Sequence, residues 1–126
     1  DVYKRQRLRG AAAAGVPPEI MGIGPVPAIQ ALLQRAGLRL DEIGLFEVNE
    51  AQGAQTLAVA RELEIDLDRL NVNGGSIAIG HPLGSTGARM LTDLLCELER
   101  RGGRYGLQTI CEASGTANAT IIERLG

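Results

Sequence analysis

"GHPLGSTGARMLTDLLCELERRGG", residues 80–103, joins a glycine-rich turn to the clearest helical pattern in the chain. Ala88, Leu91, Leu94, Leu95 and Leu98 recur at three- and four-residue spacing and form an apolar stripe, with Arg89, Asp93, Glu97 and Arg100 on the opposite side. Ser85 or Thr86 is placed to cap the start of this helix, and Gly102 and Gly103 to stop it. One wide apolar stripe needs a surface to cover it, so the flanking segments decide the fold. The turn also carries His81, the only histidine among 126 residues.

Downstream, "RYGLQTIC" (104–111) and "ATIIER" (119–124) read as strands joined by the small-residue loop "EASGTAN" (112–118). Upstream, "RLNVNGGSIAIG" (69–80) reads as a brief strand running into a glycine-broken loop. Ala51 to Leu63 is rich in helix formers, and Leu45, Phe46 and Val48 suit a mostly buried strand ending at Asn49, after a turn capped by Asp41. Ile29, Leu32, Leu33 and Ala36 mark a further helix stopped by Gly37. Before it lie the strand-like "RLRGAAAAGV" (7–16) and the loop "PPEIMGIGP" (17–25). The order β-α-β-α-β-α-β-β predicts an α/β fold: a mixed five-stranded sheet with helices packed against it, mixed because the last two strands share a short connection.

The length suits one domain with a real core. A formal charge of -2, with two Tyr, one Phe and no Trp, leaves no basic face with stacking side chains, which argues against nucleic acid as a partner. Apolar runs are far shorter than the roughly 20 residues of a bilayer span, so no membrane association is expected and a cytoplasmic location is. The two cysteines, Cys96 and Cys111, are expected to be reduced. The first six residues, "DVYKRQ", lack an initiator Met and resemble a translated sequencing adapter. They are expected to be a non-native scar on a domain covering 7–126, with further protein upstream.

Three places can carry chemistry. His81 lies before a helix N-terminus, whose free N–H groups favour an anion, and Gly80, Gly84 and Gly87 allow close approach to the backbone. The plainer alternative is a structural, hydrogen-bonded imidazole. Cys111 ends a strand at a tight loop, where α/β folds place their sites, and there it could relay protons or attack a carbonyl; alternatively it is an inert small hydrophobe, the reading preferred for Cys96. Asn49, with Glu50 at the end of another strand, is either a helix cap or a third polar group converging on the same place. Two cysteines and one distant histidine do not make a zinc site, and neither "GIGPVP" nor "GSTGAR" is a nucleotide-binding loop.

With these residues in hand, the sequence resembles the thiolase family, specifically its C-terminal half. The resemblance is carried by "PEIMGIGPVPAI" (18–29), "LFEVNEAQGAQ" (45–55), "NVNGGSIAIGHPLGSTGAR" (71–89) and "CEASGTANATIIERL" (111–125). It implies an acyltransferase that cleaves 3-ketoacyl-CoA with free coenzyme A or joins two acyl-CoA molecules, with no permanently bound cofactor and coenzyme A as a substrate. It further implies an N-terminal half that supplies the nucleophilic cysteine, and a homo-oligomeric parent. On that resemblance His81 activates the nucleophile and helps hold the thioester oxygen, Asn49 positions a water on the same oxygen, and Cys111 is the acid/base. The Ala113 N–H belongs to a second oxyanion site, while Met21, Ala51 and Gln52 line the substrate channel.

Two departures stand out. Gln52 replaces the family's usual Phe after Asn-Glu-Ala, and Ala113 and Ser114 replace glycines after the cysteine, Ala113 restricting φ. They leave open a thiolase-like sterol-carrier or lipid-binding protein with lost or secondary catalysis. A ketoacyl synthase relative shares the fold but needs His or Asn where this chain has Cys111. The 126-residue chain alone is expected to be inactive.

Overall fold

The computed structural model describes residues 4–126. Strand β1 (Gln6–Gly15) is followed by helix α1 (Pro25–Ala36), strand β2 (Leu45–Val48), helix α2 (Gly53–Glu62), the single turn α3 (Ser76–Ile79), helix α4 (Thr86–Arg101), and strands β3 (Tyr105–Cys111) and β4 (Thr116–Arg124). The sheet order is β1-β4-β3-β2. β1 and β3 both run antiparallel to β4, whereas β2 runs parallel to β3.

Alternation along the strands divides the core between two faces. On one, Ala28, Ile29, Leu32 and Leu33 of α1 meet Phe46, Leu107, Ala119 and Ile121. On the other, Leu94, Leu95 and Leu98 of α4 cover Leu45 and Ile122. The small residues of β1 have a packing reason: a Cβ on Gly10 would stand 3.1 Å from Leu32 Cδ1, and Ala12 is already buried. Helices α1 and α4 end at Gly37 (φ 64) and Gly102 (φ 69), as their sequence signals indicate.

The sheet has four strands, not five. The segment expected to add a strand near residue 70 makes only an isolated parallel bridge, Leu70 to Phe46. Asn71 then takes a left-handed conformation (φ 46), which ends extended pairing. Its side chain substitutes for the ladder: Val48 N–H donates to Asn71 Oδ1 at 2.8 Å, and Asn71 Nδ2 donates to the Val48 carbonyl at 2.8 Å.

Smaller expectations also fail: Ala88, placed on the apolar stripe of α4, is exposed, and Met90 is buried at that end of the helix instead. Glu97, expected to face solvent, is buried because Arg100, Arg101 and Asn73 all donate to its carboxylate. The hydrogen bond from Arg100 leads these in holding its pKa down at about 2. Neither Ser85 nor Thr86 caps α4 with its side chain, since both hydroxyls turn back to the Pro82 carbonyl. The turn at 40–42 is capped by Glu42, whose carboxylate accepts the Arg39 N–H at 2.8 Å, rather than by Asp41.

Of the six residues read as a scar, 1–3 lie outside the described residues. Arg5 pairs with Glu99 at 2.5 Å and Gln6 lies opposite Arg124 in β1. Cys96 and Cys111 are free thiols. Among the described residues no helix is long and apolar enough to cross a membrane.

Gly106 fixes how closely α4 lies on β3, because a Cβ there would come within 2.7 Å of Leu94 Cγ. Gly106→Ala is expected to destabilise the fold by about 1–3 kcal/mol through overpacking. Urea unfolding monitored by circular dichroism checks this; an unchanged midpoint would mean α4 yields freely.

Candidate functional site

The C-terminal ends of β2 and β3 and the N-terminal end of α4 meet at one edge of the sheet. Met21, Ala51, His81, Ile110, Cys111 and Ala113 there line a cleft of about 510 Å³, with Leu83, Glu112 and Asn118 at its border. A neighbouring cleft of about 470 Å³ shares Met21, Ala51 and Cys111 and adds Gln52 and Gln55. Asn49 lies behind the first cleft, buried, with Nδ2 3.4 Å from His81 Nε2. Imidazole, carboxamide and thiol, separated by 32 and 30 residues in sequence (49, 81, 111), thus share one small region. All seven residues singled out from sequence border one of these clefts or contact a residue that does.

Each is positioned by a local device. Asn49 extends β2 by donating its N–H to the Thr109 carbonyl at 3.0 Å, which aligns it with the end of β3. His81 is gripped by Thr86 Oγ1, 2.8 Å from Nδ1. Cys111 is the last residue of β3 and is buried; burial pushes its thiol pKa up, and the Glu112 charge adds to this against the opposing pull of the backbone hydrogen bond. Glu112 is itself held by Asn118 Nδ2 at 2.5 Å.

In the loop after Cys111 the left-handed residues are Ser114 (φ 63) and Gly115 (φ 88), not Ala113. The restriction expected at Ala113 therefore falls one residue later, where a serine carries it at a cost of about 1–2 kcal/mol. Gly115 is sterically required, since a Cβ would stand 2.1 Å from the Val16 carbonyl oxygen. That close approach, with the Val16 N–H donating to Gly115 O at 2.8 Å, ties the Cys111 loop to the turn carrying Met21.

Several residues of the site are given no role by the sequence pattern, and Glu50 enters it only as the neighbour of Asn49. Ser76 Oγ donates to Asn49 Oδ1 at 2.7 Å, and Arg89 Nη2 donates to Ser76 Oγ at 3.3 Å. Glu50 accepts the Ile77 N–H at 3.0 Å and an Asn71 amide hydrogen at 3.2 Å, fixing the turn before His81. The Gln55 amide is buried without a hydrogen-bond partner beside Gln52. Ile77, Ile79 and Leu83, in the segment that leads into and out of His81, stand out into solvent at 67%, 63% and 83% exposure. Lone side chains of this size do not need explanation, but Leu83 makes part of the cleft's outer wall apolar.

Comparison with known proteins gives a consistent result. The family profile for the thiolase C-terminal domain matches residues 3–124. A steroid 3-ketoacyl-CoA thiolase of Mycobacterium tuberculosis, FadA6, is 50% identical over 121 residues, covering 96% of this chain and 30% of the relative. Acetyl-CoA acetyltransferase of Escherichia coli is 51% identical over 119 residues, covering 94% and 30%. The crystal structure of human mitochondrial 3-ketoacyl-CoA thiolase in complex with CoA superposes with a TM-score of 0.94 at 49% identity, covering 96% of this chain and 31% of that one. The chain spans about 30% of the length of the curated relatives it matches.

One buried acid near the site is expected to govern stability against pH. Burial raises the Glu47 carboxyl to about 8; the Asp93 charge adds to this, while Arg89 opposes it. The folded chain then keeps a proton that the unfolded chain releases from about 4.5 upward, so stability falls as pH rises across the window from about 4.5 to 8. Glu47→Gln is expected to flatten that slope and to raise the melting temperature near pH 8 relative to the parent sequence, with little change near the acid end of the window. Calorimetry across the window checks it; equal destabilisation at both ends would sink the assignment.

Proposed function

The chain belongs to the thiolase family, and from its C-terminal cleft we propose that it supplies the acid/base and oxyanion-binding side of an acyltransferase acting on coenzyme A thioesters. The observation that carries this reading is the shared cleft of His81 and Cys111, with Asn49 behind the same imidazole. The remainder of the parent protein supplies the nucleophilic cysteine and covers the exposed Leu83 beside the cleft.

In thiolysis, His81 Nε2 takes the proton of that cysteine, whose sulfur attacks the 3-keto carbon. The bond between C2 and C3 breaks, the acyl group stays on the cysteine, and the departing electron pair forms the enolate of acetyl-CoA. The Cys111 thiol protonates C2 of that enolate. The Cys111 thiolate then takes the thiol proton of coenzyme A, whose sulfur attacks the acyl-enzyme; the shortened acyl-CoA leaves and the nucleophilic cysteine recovers its proton from His81. In the condensing direction, the Cys111 thiolate removes the same C2 proton.

A raised thiol pKa suits the protonating role, because the group is held as an acid around neutral pH. The enolate needs preorganised donors, and one such donor contributes about 2.7–4 kcal/mol. His81, once protonated at Nε2, and a water held by the second hydrogen of Asn49 Nδ2 serve one oxygen. The Ala113 N–H, paired with a donor from the rest of the protein, serves the other. The acyl chain runs over Met21 and Ala51 toward Gln52, where an amide stands in place of the family's aromatic ring.

In the full-length parent, His81→Ala and Cys111→Ala are each expected to lower kcat for acetoacetyl-CoA thiolysis by about 10²–10⁴-fold, the range of a lost general acid or base. The 126-residue chain alone is expected to show no turnover. Coenzyme A-dependent loss of the 3-ketoacyl thioester, followed by absorbance, checks both; a wild-type rate in His81→Ala would end this reading.

A further inference from the structure

The polar groups behind the cleft form one hydrogen-bonded chain whose direction is set from its Arg89 end. At one end Arg89 Nη2 meets Ser76 Oγ at 3.3 Å, with the same guanidinium anchored on Asp93 at 3.3 Å. Ser76 Oγ lies 2.7 Å from Asn49 Oδ1, and Asn49 Nδ2 lies 3.4 Å from His81 Nε2. On the far side of the ring, His81 Nδ1 lies 2.8 Å from Thr86 Oγ1, which donates to the Pro82 carbonyl at 3.0 Å.

A guanidinium can only donate and a carbonyl can only accept. Because Arg89 donates into Ser76, the single hydroxyl hydrogen of Ser76 goes to the Asn49 oxygen. The Asn49 carboxamide is thereby set with its nitrogen toward the imidazole. An N–H pointing at Nε2 requires a lone pair there, so the ring proton is on Nδ1. Thr86 accepts that proton, and its own hydrogen is already given to Pro82.

The reverse arrangement fails on the Asn49 side for either setting of the carboxamide. A proton on Nε2 faces an Asn49 N–H with no acceptor between them. Turning the carboxamide over leaves the Ser76 hydrogen, in a buried side chain, without a partner.

We infer that Thr86, and the Ser76–Arg89 pair acting through Asn49, are positioning residues that hold neutral His81 in its Nδ1–H tautomer, leaving Nε2 as the basic atom beside the cleft. The tautomer follows from the hydrogen bonds alone; its use in catalysis rests on the thiolase reading above. The long Asn49 contact suits this use, since a weak bond at Nε2 is readily surrendered when the nucleophile delivers its proton. The strong bond at Nδ1 then stabilises the imidazolium. An imidazole fixed in the other tautomer presents an N–H where a base is needed, an error that costs about 10⁴-fold in kcat where it has been isolated in another enzyme class.

His81 is the only histidine in the chain, so nitrogen-15 labelling of histidine reports on it without overlap. In two-bond nitrogen–proton correlation spectra at alkaline pH, the chain is expected to show a protonated Nδ1 and an unprotonated Nε2. Thr86→Val should move the proton to Nε2 or split it between the two nitrogens, and Thr86→Ser should restore the original pattern. The same spectra recorded on the full-length parent, with the His81 signal assigned by its loss in His81→Gln, cover the case in which the isolated chain lacks a dispersed amide spectrum.

In thiolysis by the parent, Thr86→Val is expected to lower kcat by about 10²-fold or more with KM nearly unchanged, and Thr86→Ser to recover most of it. A folded wild-type protein carrying its proton on Nε2 overturns the inference, as does a Thr86→Val variant with an unaltered tautomer. Neither result touches the proposed function, which stands or falls on the His81→Ala and Cys111→Ala rates.

Discussion

The arrangement of this molecule depends on the double hydrogen bond between the Asn71 carboxamide and the backbone of Val48. The chain reaches Leu70 as though to extend the sheet, and the left-handed turn at Asn71 stops it there. The amide satisfies both polar groups that an added strand would have satisfied, so the end of β2 is sealed without another length of sheet. Freed from pairing, residues 72–85 wrap across the strand ends and deliver Ser76 and His81 to Asn49. A longer fifth strand would have carried the same residues away from the cleft.

The sheet face beneath α4 is divided accordingly. Toward the C-terminal end of the helix it is apolar, with Leu94, Leu95 and Leu98 on Leu45 and Ile122. Toward the N-terminal end it turns polar, with Glu47, Asn49, Ser76 and Gln108 all buried, and Arg89 reaching Ser76. Buried polar groups stabilise a fold poorly unless every one of them is partnered. Here Glu47 remains protonated well above its ordinary range and Gln108 Oε1 lacks a partner. The apolar half of α4 anchors the helix, and the polar half orients the imidazole, at some expense in stability.

Much of this was legible in the sequence, for identifiable reasons. The stripe of α4, the glycine stops at 37 and 102, and the strand ends at Asn49 and Cys111 are set by local pattern, and local pattern prevails where a long segment is strongly periodic. Convergence of His81, Asn49 and Cys111 was one of the readings the sequence offered, because each lies at the end of an element in an α/β order. The fifth strand was misread because the choice at Asn71 is made by a side-chain contact with Val48, 23 residues away, which no propensity contains. Glu97 was misread for a similar reason: helical spacing places it outward, but two neighbouring arginines and Asn73 draw it in. The Arg89–Ser76–Asn49 chain links three segments distant in sequence, and only the assembled fold brings it into being.

The contact between Gly115 and the Val16 carbonyl has a consequence for descent. Any side chain at 115 collides with main chain rather than with a neighbour that could shrink to make room, so no compensating change elsewhere reopens the position. A side chain at 52 or 114 meets no such main-chain barrier, whereas the thiol-bearing loop and the methionine-bearing turn can move only as one coupled unit. Diversification of the pocket is thereby channelled to its walls, while the spacing between its two ends stays fixed.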